Sequence, residues 1–199
     1  MVQLACFLRS QSAAALVCLV SILQPSSHAT TFWTGPNTNW TKSTSNPSDT
    51  IVPGRVVLTR GDFDVLYNVA AGESYATSAS PKDTLWAFGD LADATSLSYQ
   101  TLESLRTGNL ANRILGKPMV VHLINEDIYF SIRFTIWGRM DAGTVAYTRS
   151  TPPAGVPIVG IARPVEGAIF ASPADIKVTG GAMVSGGEVT NVSLYAQTM

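Results

Sequence analysis

The chain has 199 residues, with 13 Lys and Arg against 14 Asp and Glu, for a formal net charge of −1. The balance is even, with both signs interspersed, so no basic patch in the sequence argues for nucleic acid, and no apolar run beyond the N-terminus is long enough to span a bilayer. The length suits one medium domain or one plus a fragment, and 16 Gly, 11 Pro and scarce helix signals make all-β the expected class.

Residues 1–29 read as a secretory signal peptide. Arg9 supplies a positive start, Ala13–Leu23 is an apolar stretch too short to span a membrane, and Ser27-His28-Ala29 offers small residues where a signal peptidase reads. A lipid anchor at Cys18 is the rival, but Val17 is too large for the residue before a lipidated cysteine. The expected location is secreted, cell-surface or periplasmic. Cleavage after Ala29 removes Cys6, Cys18 and His28, leaving no thiol chemistry and His122 as the one histidine. A catalytic triad then has one candidate base, and a metal site must draw its other ligands from carboxylates.

Phe32, Trp33 and Trp40 mark an N-terminal strand region whose aromatics close one end of a core. Asn39-Trp40-Thr41 and Asn191-Val192-Ser193 match a glycosylation sequon, a pattern short enough to arise by chance. After the polar loop Lys42–Thr50, Ile51–Arg60 turns at Pro53-Gly54 and continues as a strand, and Phe63–Asn68 follows as another. Asp62 and Asp64 are spaced as in a calcium loop. Val65–Asn68 lacks the further ligands of an EF-hand, which leaves an irregular Ca2+ site or a solvated turn. Val69–Lys82 is loop-like, and Asp83–Gly89 reads as a strand with Trp86 and Phe88 on its core side. Leu97 and Tyr99 alternate as a strand would, Thr101–Leu105 offers one helical turn, and Thr107–Lys117 reads as a loop.

The most regular stretch is Gly116–Trp137. Apolar residues recur at Ile128, Phe130, Ile132, Phe134 and Ile136, a period of two that marks a half-buried strand. Pro118–Ile124 is its hairpin partner, with turn chemistry at Asn125-Glu126-Asp127. Pairing Leu123 with Ile128, Val121 with Phe130 and Met119 with Ile132 puts both apolar sets on one face. His122, Tyr129, Ser131, Arg133, Thr135 and Trp137 then share the other. Thr144–Arg149 adds a third strand. Pairing Ile136 with Val145 buries Tyr147 opposite Phe134 and leaves Trp137 outside beside Thr144. Such a meander exposes an apolar face unless the earlier strands form a second sheet over it. The expectation is an antiparallel β-sandwich, jelly-roll-like or meander-containing, over residues 30–149.

Ser150–Pro157 reads as a Pro-rich linker, and residues 158–199 as a further unit with strands at Ile158–Ile161, Ile176–Val178 and Glu188–Tyr195, the last with a bulge near Asn191. Ile161, Pro164, Gly167, Ala168, Phe170, Pro173-Ala174-Asp175-Ile176, Val178, Gly187, Val189, Val192 and Tyr195 fall in a pattern that resembles bacterial immunoglobulin-like domains. The resemblance implies a partial immunoglobulin-like β unit, further domains of a longer parent chain, or packing of this tail on the first domain or a partner. Residues 32–152 resemble, through L-T-R-G (58–61), S-P-x-x-T-x-W-A-F-G (80–89), D-I-Y-F-S-I-R-F-T-x-W (127–137) and Y-T-R-S-T-P (147–152), a β-rich module of secreted bacterial proteins. That resemblance carries no activity with it.

Three functions remain. An enzyme would draw on His122 oriented by Glu126 or Asp127, or on a glycosidase carboxylate pair among Asp62, Asp64, Glu73, Asp83, Asp90, Asp93 and Glu103. No nucleophile motif supports the first. A binding module would use His122, Tyr129, Arg133, Thr135 and Trp137 on the outer sheet face to hold a polysaccharide or a cell-surface or matrix component. A structural module would space or display other domains. The expected function is non-catalytic: adhesion or glycan binding, with no cofactor unless Ca2+ sits at Asp62 and Asp64.

Overall fold

Alternation in Ile128–Trp137 and its neighbours builds the main sheet. A computed structural model describes residues 29–62, 64–106, 109–138, 143–165, 168–171 and 175–193. Residues 1–28, with Cys6 and Cys18, lie outside the described residues, as do Phe63, Gly167, Pro173-Ala174 and Tyr195.

Eleven strands are formed among the described residues: β1 (Thr31–Trp33), β2 (Thr38–Thr41), β3 (Asp49–Val52), β4 (Val56–Arg60), β5 (Leu66–Asn68), β6 (Thr84–Phe88), β7 (Met119–Leu123), β8 (Ile128–Trp137), β9 (Val145–Arg149), β10 (Pro157–Arg163) and β11 (Thr179–Val184). The large sheet runs β2-β9-β8-β7-β6, and β3-β4-β5 form a second, three-stranded sheet. Residues of both belong to one hydrophobic cluster, which includes Trp33, Trp86, Phe130, Phe134 and Tyr147 of the large sheet and Ile51, Leu58 and Leu66 of the small one. The molecule is therefore an all-β, antiparallel sandwich.

The β7–β8 hairpin has the register its apolar pattern requires, with Met119, Val121 and Leu123 opposite Ile132, Phe130 and Ile128. Tyr147 stands opposite Phe134 and is buried. Beyond Phe134 the register shifts by one residue, pairing Ile136 with Ala146 and Trp137 with Val145. This bulge at Thr135 overturns the outward placement of Trp137: its ring is buried and Ile136 is 46% exposed. Burying the indole removes more apolar surface from water than burying the isoleucine, which favours the extra residue.

β1 was expected only as an end-closing strand, yet it enters the sheet and runs parallel to β8, pairing Thr31–Trp33 with Ile128–Phe130. β9 pairs with the rest of β8 on the same side. Ser131 and Ser150 join the two stretches: the Ser150 N–H donates to the Ser131 carbonyl, and the Ser131 N–H donates to the Ser150 hydroxyl.

Three segments differ from the sequence reading. Residues 91–96 form 3-10 turns, while Gln100 bridges to Trp86. The region read as a loop contains a short helix, α1 (Leu110–Ile114), whose Leu110, Ala111 and Ile114 are buried. Phe88, at the end of β6, is 38% exposed rather than core. Among the described residues no helix is long and apolar enough to cross a membrane.

The stretch after Arg149 begins as part of the sandwich. Thr151 accepts from the Gly35 N–H through its carbonyl and donates its hydroxyl to the Pro36 carbonyl. β10 then pairs with β11, not with Ile176–Val178 or residues 188–193, which are irregular. β11 contains Gly180 and Gly181. Here close approach requires small residues, since a Cβ on Gly181 would stand 2.8 Å from Pro53 Cβ and one on Gly180 2.3 Å from the Gly160 carbonyl oxygen. The hairpin rests on the β3–β4 turn, and Ile158 joins the common core.

Candidate functional site

The structure divides the five candidate residues among four places, three on the outer face of the large sheet and one in the core. The β7–β8 register sets His122 directly beside Tyr129, with ring centroids 4.1 Å apart and planes within 3°. Phe32, carried by β1 on the opposite edge of β8, stacks on Tyr129 at 5.4 Å. Both faces of the Tyr129 ring are thus occupied by neighbours. Tyr99 meets His122 and Tyr129 edge-on at 5.9 Å. Burial, followed by the nearby Tyr129, pushes the Tyr99 hydroxyl up to about 12. Burial and then Asp127 raise Tyr129.

Asp127 sits in the hairpin turn with φ +49°, a conformation acidic side chains tolerate better than most. Its Oδ1 lies 3.0 Å from His122 Nε2, and its Oδ2 accepts the Thr30 hydroxyl. His122 therefore has the orienting carboxylate of a general base, and Asp127 rather than Glu126 supplies it. Among the described residues no serine or threonine hydroxyl hydrogen-bonds to His122. Glu126 turns the other way and pairs with Arg55 Nε at 3.1 Å.

Arg133 lies four residues beyond Tyr129, ~13 Å along the strand. It is exposed, and its Nη1 donates to the Gly116 carbonyl at 3.0 Å. There the outer face hollows into a groove of about 260 Å3, lined among others by Asn37, Asp90, Ser131, Arg133 and Thr148. These groups come from the segment between β1 and β2, the end of β6, and β8 and β9. They combine a guanidinium, two hydroxyls, an amide and a carboxylate.

Thr135 is exposed at the bulge beyond this groove. Trp137 is in the core, where Arg60 Cζ stands 4.2 Å from its ring centroid and Phe134 meets it edge-on at 5.2 Å. An aromatic platform shared by Tyr129 and Trp137 is therefore not formed.

Asp62 and Asp64 lie in the β4–β5 connection. Both raise the Tyr67 hydroxyl, after the larger effect of its burial. Among the described residues no three of His, Cys, Asp and Glu gather in a metal-holding group.

One carboxylate pair does assemble in space, between Asp83 at the start of β6 and Glu126 in the β7–β8 turn. Burial, then the charge of Glu126, raises Asp83 to about 6, opposed by the Asn125 N–H that it accepts at 2.9 Å. Sequence reading named Asp83 without this partner, because 42 residues separate Asp83 from the adjacent Asn125. Neither Asp83 nor Glu126 lines the groove at Arg133.

No protein-family model, no curated protein and no solved structure matches this chain. The site must be read from its own groups. Sequence reading found Arg133 and Ser131 on the outer face but missed Asn37, Asp90 and Thr148, whose approach depends on strand order. It also missed Phe32 and Tyr99, which complete the aromatic row.

Proposed function

We propose that this chain is a secreted or cell-surface, non-catalytic β-sandwich module that binds glycan through the outer-face groove at Arg133. The groove carries the reading. It is concave and presents the fixed donors of a guanidinium beside hydroxyl, amide and carboxylate groups, a set suited to a ligand rich in hydroxyls. The non-catalytic reading is favoured by His122 having an orienting carboxylate but, among the described residues, no hydroxyl hydrogen-bonded to it. The signal-like residues 1–29 support export. The resemblance of 159–196 to immunoglobulin-like domains supports a place in a larger extracellular protein, with adhesion as the role.

A purely structural module is the second reading. It is favoured by the buried Trp137 and by the covered ring faces of Tyr129, which together remove the aromatic platform expected on this face.

A panel of soluble polysaccharides titrated against the full chain and its Arg133→Gln variant separates the two. Saturable binding by the full chain, weakened about tenfold or more in a variant of unchanged melting temperature, supports the binding module. No binding from a folded chain leaves the structural module.

A further inference from the structure

The groove at Arg133 is bordered by Gly89 and Pro118, and the same two residues border a second, shallower concavity of about 520 Å3. The Gly89 N–H donates to the Pro118 carbonyl at 3.1 Å, so the divide between the two hollows is backbone. Gly89 has φ +142°, and a Cβ there would lie 2.6 Å from a Leu97 methyl group. The Leu97 side chain fills the space beside Gly89, and the two hollows meet along the Gly89–Pro118 backbone they share.

The second concavity is completed by Phe88, Asn112, Arg113 and Lys117. Arg113 comes from α1, and its Nη1 donates to the Leu105 carbonyl at 2.9 Å. Arg113, Lys117 and Arg133 are all exposed. Among the described residues that line the two hollows, the cations are Arg113, Lys117 and Arg133 and the acid is Asp90. Such a local excess stands out in a chain whose formal net charge is −1. Phe88 adds an exposed apolar ring of the kind on which a sugar ring can rest.

We infer that the two hollows form one extended site, and that Arg113, Lys117 and Arg133 select an acidic polysaccharide whose carboxylate or sulfate groups are spaced along it. This inference rests on the glycan-binding reading and specifies its ligand class. Arginine forks match planar carboxylates and sulfate oxygens, and lysine adds a point charge. Because all three cations are exposed, salt screens their attraction, and affinity must fall as ionic strength rises. One exposed phenylalanine offers no row of rings on which successive bases could stack, which favours a glycan over single-stranded nucleic acid.

The test titrates the full chain with polygalacturonate, chondroitin sulfate, neutral dextran and a single-stranded DNA oligonucleotide, at low and at physiological salt. Polygalacturonate and chondroitin sulfate distinguish carboxylate from sulfate as the recognised group. The paired variant Arg113→Gln/Lys117→Gln is expected to bind the preferred acidic glycan about tenfold more weakly with an unchanged melting temperature, while Lys117→Arg retains binding. Dextran binding as tight as acidic binding, an unaffected paired variant, or tighter binding of the oligonucleotide overturns the inference. If Arg133→Gln weakens glycan binding while the paired variant does not, the glycan-binding reading stands and the extended acidic site falls. If no glycan binds, both fall.

Discussion

Asp49 of β3 holds the Arg149 guanidinium of β9 through two parallel hydrogen bonds, at 2.7 Å from Nε and 2.9 Å from Nη2. The Tyr147 hydroxyl adds a third at 3.0 Å, and burial followed by Asp49 raises its pKa well above the usual tyrosine range. One carboxylate thus ties the small sheet to the large one inside the sandwich. Asp49→Ala strands a buried guanidinium and is expected to cost about 3–5 kcal/mol, measured by urea unfolding. A loss within ~0.5 kcal/mol, the scale of an ordinary surface change, rejects this role.

The Asp83–Glu126 pair makes stability depend on acid pH. Asp83 has a folded pKa of about 6, above the ~3.9 of an unfolded aspartate. Its contribution is therefore complete below ~4 and is lost as pH rises through about 6. Asp83→Asn keeps a residue that tolerates φ +64° and removes this loss. Relative to the parent chain, the variant is expected to gain stability between pH 4 and pH 7, by a few °C in Tm at neutral pH. Parallel melting curves for the two chains across that window would contradict the assignment.

Trp137→Ala distinguishes a core residue from a surface one. The buried position predicts a loss of about 3–5 kcal/mol, with glycan affinity unchanged under conditions where the variant is folded. Near-neutral stability with lost binding is the opposite pattern and would return Trp137 to the outer face.

Gly160 lets β10 lie against the β3–β4 turn, since a Cβ there would stand 2.0 Å from the Pro53 carbonyl oxygen. Gly160→Ala is expected to lift the β10–β11 hairpin, at a cost of about 1–3 kcal/mol. Hydrogen exchange should then quicken in 157–184 while β7 and β8 stay protected. Unchanged exchange in β10 would mean that the docked position does not depend on this close contact.

The register of β7 and β8 was legible because two apolar patterns of period two flank a turn, and a slip by one residue would expose both. The bulge at Thr135 was not legible, because the alternation continues through Ile136 in the sequence. Only the packing of Trp137 against Arg60 and Phe134 reveals which residue turns inward. β11 escaped notice for a different reason: Thr179-Gly180-Gly181 has little strand propensity, and its glycines answer to Pro53 and Gly160 across space. The groove at Arg133 is a similar case. Its floor is visible as an outer strand face, but Asn37, Asp90 and Thr148 reach it through the order of strands in the sheet.

The parallel insertion of β1 beside β8 has a consequence for the order in which the fold can form. Thr30 bonds to Asp127 across 97 residues of chain, and Thr31–Trp33 finds its ladder only on Ile128–Phe130. The first strand of the sandwich to leave the ribosome must therefore wait for one of the last. Contacts this distant in sequence slow folding, and Trp33, with no exposure in the finished core, stays unsheltered until β8 arrives. A nascent chain halted before Ile128 would hold an open sheet edge and an exposed indole, the features a chaperone recognises.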